Sequence, residues 1–504
     1  MPEKKPDNSL KSFNSSFYLY LTIICFASFA CAQIWVSHQR ILEWDEAVYI
    51  GIGKFLFSCG HSGLFESIRP LVLPLILGFF WKLKCSPIFC GELFVVLCAS
   101  ILVILTCRLS SKLFKYKNDF VPSAILATSP LFIFYSTHIY TEIPSTLCAV
   151  LAFYAFINRS FKRAGAWAGL AFLTRFPQGI LLIIFSVSLI YDGCSNRNVK
   201  TALKNLFNLL STAFIVLAPT LIFNFVLHHK ETSSIYEAVF RPFLSAARAM
   251  DWTLVRRNGL DNYAYYLLNA IANQWILIFA FFGLFSLIKN KSVDRFSKNS
   301  FLLCVGIYLA YYSVIPHKED RYFLVILPFI AILSSHGLEA IFLYFRKNRL
   351  IRSHQVPIFS LVFLIVFMSA RIHIVKENCY PELKIWLPTS NIVEDYYKYF
   401  DKHPTRGILL TSDPRVAAYT DLKYEPYYVF YVKDALAVYQ DLLKRHEVGG
   451  ILFTPWAFEC PERGILCQNQ KIRLFEEIMK SRVLFRPKYF GVFWYILKPI
   501  GIQN

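Results

Sequence analysis

Apolar runs close to bilayer length recur along this chain from residue 16 to residue 374, and no soluble core needs so many. Crossing the hydrocarbon takes roughly 17–25 predominantly apolar residues in a helix. Runs of that order fall at residues 16–37, 88–107, 121–137, 142–157, 163–174, 177–191, 205–227, 267–288, 300–316, 322–345 and 356–374. Of these, 163–174 is short, and Pro177 separates it from 177–191. The expected fold class is therefore an α-helical polytopic membrane protein of about eleven transmembrane helices. Composition agrees: 17% of the 504 residues are charged, against about a quarter in a soluble domain.

A net charge of +20 would suggest nucleic acid in a soluble protein, but here its position matters more than its sum. The Lys and Arg cluster in short loops around Arg108–Lys117, Arg159–Arg163, Arg197–Lys204, Lys289–Lys298 and Arg346–Arg352. With a cytoplasmic N-terminus carrying Lys4, Lys5 and Lys11, every one of these loops falls inside, as the positive-inside rule requires. The first apolar run lacks a small-x-small cleavage site and reads as a span rather than a removed signal. Of thirteen Cys, six (Cys25, Cys31, Cys98, Cys107, Cys148 and Cys304) lie within expected spans. Cys460 and Cys467 bracket a short polar loop, and no C-x-x-C pair suggests zinc.

One apolar run breaks the alternation. Residues 70–83, PLVLPLILGFFWKL, are short and hold two prolines, and counting them as a span would move the basic loop after residue 107 outside. They read as a re-entrant or interface-lying helix on the outer face. That face then collects the loop 38–87, the turn at 138–142, the loop 228–266, the loop 317–321 and the tail. The tail alternates β-like runs (GILLTS, GGILFT, YFGVFWYIL) with helical stretches at 433–446 and 470–481, which fits a small α/β domain. The expected organisation is a transmembrane domain over 1–375 and an extracytoplasmic α/β domain over 376–504.

Charged groups at span ends are costly and mark candidate sites. Asp45 and Glu46, in EWDEAVY, open a helix-like stretch just after the first span. An acidic pair there either caps the helix, or takes a proton from an acceptor hydroxyl, or holds a divalent metal (Mg or Mn) beside a phosphate. Glu142, in HIYTEIP, sits at another outer mouth, and either supports that chemistry or caps its own helix. Arg69, before the short apolar helix, and Arg175, in LTRFP, are phosphate candidates or ordinary loop charges. The densest cluster is PHKEDRY, where His317, Lys318 and Arg321 offer cations to a departing phosphate. Its plain reading is an interfacial cluster neutralised by Glu319 and Asp320. No hydrolase elbow is present.

These motifs resemble the GT-C superfamily of membrane glycosyltransferases. WDEAVY is similar to the acidic motif of the protein O-mannosyltransferase and lipid A aminoarabinose transferase families, IRPLVLPLILGFFWKL to their juxtamembrane helix, and YSTHIYTEIPS to their second outer loop. HKEDRY resembles the HKEERF-type motif of mannosyltransferases that build lipid-linked oligosaccharides and GPI anchors. FESIRP resembles that group's Arg-Ser motif, with Pro70 in place of Ser. The resemblance implies a catalytic Asp45 with Glu46 beside it and Glu142 as the acidic residue of the second loop. It also implies inverting transfer of a hexose, mannose first, from a dolichyl- or polyprenyl-phosphate donor to a glycan, lipid or protein acceptor. The expected setting is a prokaryotic plasma membrane or the endoplasmic reticulum. A transporter or flippase for an anionic polyprenyl lipid is the alternative, but it predicts inverted repeats and mid-membrane charges, which this sequence does not show.

Overall fold

In hydrocarbon every backbone N–H and C=O needs a partner within the chain, so apolar runs resolve as helices. The structure is a computed structural model that describes residues 8–36, 40–66, 69–114, 120–227, 264–266, 268, 274–315, 318–347, 393–404, 407–426, 435–445, 448–453, 469, 472–474, 476–478, 480, 482–485 and 495–498. The expected span at 356–374, most of the loop 228–266, His317, Cys460 and Cys467 lie outside these residues. In chain order the helices are α1 (Asn8–Val36), α2 (Trp44–Phe57), α3 (Val72–Lys82), α4 (Pro87–Phe114), α5 (Val121–Ala127), α6 (Pro130–Tyr135), α7 (Glu142–Ile157), α8 (Phe161–Thr174), α9 (Ile180–Ser195) and α10 (Val199–Leu227). There follow α11 (Phe279–Lys289), α12 (Arg295–Val314) and α13 (Leu327–Lys347).

Among the described residues five helical stretches are long and apolar enough to cross a membrane: Ser16–Trp35, Pro87–Phe114, Phe176–Ser195, Val199–Ile222 and Leu327–Phe345. The chain is an integral membrane protein. Two of the expected runs have joints that matter for the site. Pro130, which has no N–H to give a preceding turn, starts a new helix and splits run 121–137 into α5 and α6. Pro177 opens a 3-10 turn, Phe176–Gly179, between α8 and α9, and leaves Arg175 extended at the joint (φ −156°, ψ 113°). Residues 70–83 form only the eleven-residue α3, about half the rise a span needs.

The described chain forms two compact units. One holds residues 1–35, 92–232 and 257–386; the other holds 36–91, 233–256 and 387–504. In the first, α8 lies against α10 and α11 against α13 with backbones in close approach. A Cβ at Gly165 would strike Leu209 O, and one at Gly283 would strike Leu333 O, the small-residue packing that membrane helices favour. Its core is aromatic: Phe156 stacks on Phe185 at 4.1 Å between centroids, and Phe153 meets Phe329 edge-on at 5.5 Å.

The second unit carries the expected α/β tail. Its strands are β1 (Ile408–Thr411), β2 (Tyr424–Pro426), β3 (Val448–Phe453), β4 (Arg482–Phe485) and β5 (Tyr495–Lys498). They form one sheet in the order β2-β1-β3-β5-β4. β2, β1 and β3 run parallel, joined by α14 (Arg415–Tyr419) and α15 (Ala435–Arg445); β5 is antiparallel to both β3 and β4. Helix α2 belongs to this sheet's core. Val48, Ile52 and Leu64 are buried with Tyr396, Phe400, Leu409, Val416 and Leu452. Gly63 even bridges the sheet edge, donating to Leu422 O (2.8 Å) and accepting from Tyr424 N (2.8 Å). α3 closes on α2 through glycine, since a side chain at Gly78 would strike Gly53 O.

Candidate functional site

In the second unit the acidic pair divides into two roles at the start of α2. Glu43 is the N-cap, and Glu46, three residues on, reaches back to accept from Glu43 N at 2.8 Å, a capping box. Arg40 then grips both oxygens of Glu46 (2.6 and 2.7 Å), so Glu46 is fully buried and fully engaged. The helix-capping reading of the pair thus falls to Glu46. Asp45 keeps part of its side chain accessible, and its Oδ1 meets Arg69 Nη2 at 2.9 Å. Arg69 also donates from Nε to Glu66 Oε2 at 2.9 Å and lies 5.8 Å from the Tyr49 ring centroid. Arg69, expected as a phosphate ligand, is therefore placed between two carboxylates.

The tail anchors this helix. Lys54 is buried and donates to Ala418 O (2.9 Å) and Thr420 O (2.8 Å), with Asp421 at 3.0 Å. Burial pulls its amine below the ordinary lysine range, against the raising pull of Asp421. Arg415 Nε donates to Leu42 O at 2.8 Å, and Leu42 N donates to Tyr419 Oη at 3.0 Å. The tail segment Thr411–Tyr419 thus fixes the backbone just before Asp45. Burial pushes the Asp413 carboxyl up, opposed by the Arg415 guanidinium beside it.

In the first unit Glu142 opens α7 and is 1% exposed. Its Oε1 accepts from Arg175 Nη1 at 2.8 Å and is ion-paired with Arg321, whose Nε lies 3.3 Å away. Thr141 Oγ1 approaches its other oxygen at 3.5 Å. Arg175 reaches Glu142 because the extended joint between α8 and α9 turns it across to α7. Arg321 comes from the 3-10 turn Asp320–Val325 and is also bound by Glu319. Aromatic faces surround both guanidiniums. Arg321 lies 4.7 Å from the Tyr140 centroid, and Arg175 lies 5.0 Å from that of Tyr322. Asp320 is held by Tyr265 at 2.7 Å.

Lys318 has a different occupation. Its ammonium donates to Tyr312 O and Ser313 O, both at 2.8 Å, at the end of α12, and faces the Tyr266 ring at 5.3 Å. That is the C-terminal capping that a cation provides. Burial lowers its pKa to about 8. Sequence reasoning therefore named Glu142, Arg175 and Arg321, which the structure brings into contact, and Lys318, which it ties to a helix end. It missed Arg40, whose signal was a lone cation six residues before Glu46, and the aromatic ring of Tyr140 and Tyr322.

Two arginines on one carboxylate oxygen form a site made for an oxyanion. The expected metal fits less well. Among the described residues no group of three or more His, Cys, Asp or Glu is placed to hold one, and Asp45 already faces a guanidinium. A magnesium or manganese ion needs several oxygen ligands, which Asp45 alone does not supply.

The family model for dolichyl-phosphate-mannose-protein mannosyltransferases matches residues 68–223, a stretch that includes Arg69, Glu142 and Arg175. No curated protein sequence matches. Among solved structures the chain is similar to ArnT from Cupriavidus metallidurans bound to undecaprenyl phosphate, at 12% identity over 94% of this chain and 97% of that one, TM-score 0.59. It is also similar to the oligosaccharyltransferase of Archaeoglobus fulgidus in the apo form, at 11% identity over 96% and 75%, TM-score 0.55. The archaeal oligosaccharyltransferase AglB from Archaeoglobus fulgidus, in complex with an inhibitory peptide and a dolichol-phosphate, is similar at 11% identity over 95% of this chain and 74% of that one, TM-score 0.54. At these identities the likeness is one of fold, the GT-C fold.

Proposed function

Starting from a GT-C fold, we propose that this chain is a glycosyltransferase moving a hexose, mannose first, from a dolichyl- or polyprenyl-phosphate carrier to an acceptor on the extracytoplasmic or lumenal face. The observation that carries the reading is Glu142 holding two partly buried guanidiniums, Arg175 and Arg321, on one oxygen. The similar structures support it, since one holds undecaprenyl phosphate and another a dolichol-phosphate. The N-terminus is assigned to the cytoplasm and the α/β tail to the opposite side, from loop charge.

In this reading the acceptor hydroxyl attacks the sugar's anomeric carbon, with inversion, and gives its proton to Asp45. The bond between that carbon and the phosphate oxygen breaks, and its electron pair stays on the phosphate. Arg175 and Arg321 stabilise the charge that develops there; His317, four positions before Arg321 in the sequence, is assigned the same task. Arg69 holds Asp45, and Glu46 holds the helix that carries it. Lys318 fixes the end of α12, next to the loop that supplies Arg321.

The test is purified protein in lipid nanodiscs, incubated with radiolabelled dolichyl- and undecaprenyl-phosphate sugars and a panel of glycan, lipid and peptide acceptors. Transfer that Asp45→Asn abolishes in a folded protein is the expected result. Full activity in that variant removes the base assignment. Absence of lipid-phosphate binding removes the donor class.

A further inference from the structure

We propose that Glu142 is a built-in counter-charge that discriminates between the donor and the spent carrier at the two-arginine site. This rests on the reading that Arg175 and Arg321 bind the carrier's phosphate. A sugar-linked carrier is a phosphodiester with one negative charge. Once the sugar leaves, the carrier is a monoester, whose second ionisation near pH 6 gives it close to two. Product release is then an electrostatic problem, because the same arginines that aid bond cleavage hold the more charged product more tightly.

The cluster answers that problem in its composition. Arg175 and Arg321 bring two positive charges; Glu142 and Glu319, both in contact with Arg321, bring two negative ones. Glu142 is buried and the other three are partly buried, so their fields are less screened than those of surface charges. Without a ligand, Glu142 occupies the place of an anion and spares two partly buried cations from standing uncompensated. A phosphate must share or displace it, while Arg175 Nε, buried without a hydrogen-bond partner, remains as a donor for the newcomer. In a field of no net charge the second charge of the monoester gains little, so the product does not outcompete fresh donor. Glu142→Gln keeps the shape and removes the charge. It leaves the site one unit positive, which favours a doubly charged ligand over a singly charged one.

The experiment measures binding of undecaprenyl phosphate and of its methyl diester, which carries one charge, to the full-length protein in nanodiscs at pH 8. Glu142→Gln is expected to tighten the monoester by about tenfold more than the diester, with a parallel fall in the inhibition constant of undecaprenyl phosphate relative to the donor KM. Equal changes in both ligands, or a weaker monoester, overturn the proposal. The wild-type protein gives an independent check should that variant not fold: it is expected to bind the diester at least as tightly as the monoester, and a tenfold preference for the monoester overturns the idea. Arg175→Ala and Arg321→Ala separate the two levels. If both retain full affinity for both ligands, the phosphate reading itself falls. If they lose it while Glu142→Gln shows no selective tightening, the phosphate reading stands and the counter-charge is refuted.

Discussion

The two ion clusters are inverses of each other. In the unit that carries the sheet, one guanidinium, Arg69, sits between two carboxylates, Asp45 and Glu66. In the transmembrane unit, one carboxylate, Glu142, sits between two guanidiniums, Arg175 and Arg321. The first arrangement leaves a surplus of negative charge and suits a group that must take a proton. The second pairs its two guanidiniums with Glu142 and, on Arg321, with Glu319, so its charges balance until an anion takes the place of Glu142. Each central residue protects its flanking charges from burial without a partner. In the proposed reaction the acidic cluster takes the acceptor's proton and the arginine cluster takes the carrier's phosphate.

The largest effect expected is on the acidic cluster. Asp45→Asn should lower transfer by about a thousandfold or more, which is the scale for losing both the base and its charge. Melting temperature should change little, because Glu66 still partners Arg69. If the variant transfers sugar at the wild-type rate, the inverse pairing of the clusters has no catalytic meaning. Next come the arginines. Arg175→Ala should cost roughly a hundredfold in kcat/KM and about 3 kcal/mol in stability, since Glu142 loses its shorter ion pair. Adding Glu142→Ala to it should recover much of the melting temperature but none of the activity. A double variant that regains transfer would make this cluster structural.

Glu46→Gln sharpens the division within the acidic pair. It removes charge from a carboxylate that accepts both nitrogens of Arg40 and caps α2, so the loss should appear in stability, about 1–3 kcal/mol, read by thermal unfolding in nanodiscs. Donor KM should hold. A variant that is as stable as wild type but inactive would place Glu46, not Asp45, in the chemistry.

How much of this was legible depends on the range of the interaction. Helices, the short α3 and the α/β tail follow from local apolar runs, prolines and β-branched stretches, and the structure has them. The alternation of basic loops put Glu142 and Arg321 on one face, and Arg175 stood apart as a single charge near an outer mouth, without any sign that the three touch. Their contact needs the extended joint at Arg175, which Pro177 hints at but does not specify. The roles of Asp45 and Glu46 were not separable, because both fit a cap, and only Arg40's grip on Glu46 divides them. That α2 shares a core with Val416 and Leu452, residues more than 350 positions away, has no local signature at all. Lys318 shows the opposite failure: a cation in a cationic motif, engaged by carbonyls of the preceding helix.

The smallest expected effect tests that last placement. Lys318's amine is lowered from the ordinary 10.5 to about 8 by burial. Between those values the unfolded chain holds a proton that the folded one has released, so stability rises with pH across this window. The contribution is fully present above 10.5 and is lost as pH falls through 8. Lys318→Met removes the group and should flatten the rise, which would appear as a difference of about 1–2 °C between the pH 7 and pH 9.5 melting temperatures of wild type and variant. The same variant frees Tyr312 O and Ser313 O at the end of α12, so donor KM should rise only a few-fold if Lys318 acts through the helix end. A loss as large as that of Arg175→Ala would instead mean that Lys318 leaves those carbonyls to meet the phosphate, making the cationic cluster three-membered and ending its symmetry with the acidic one.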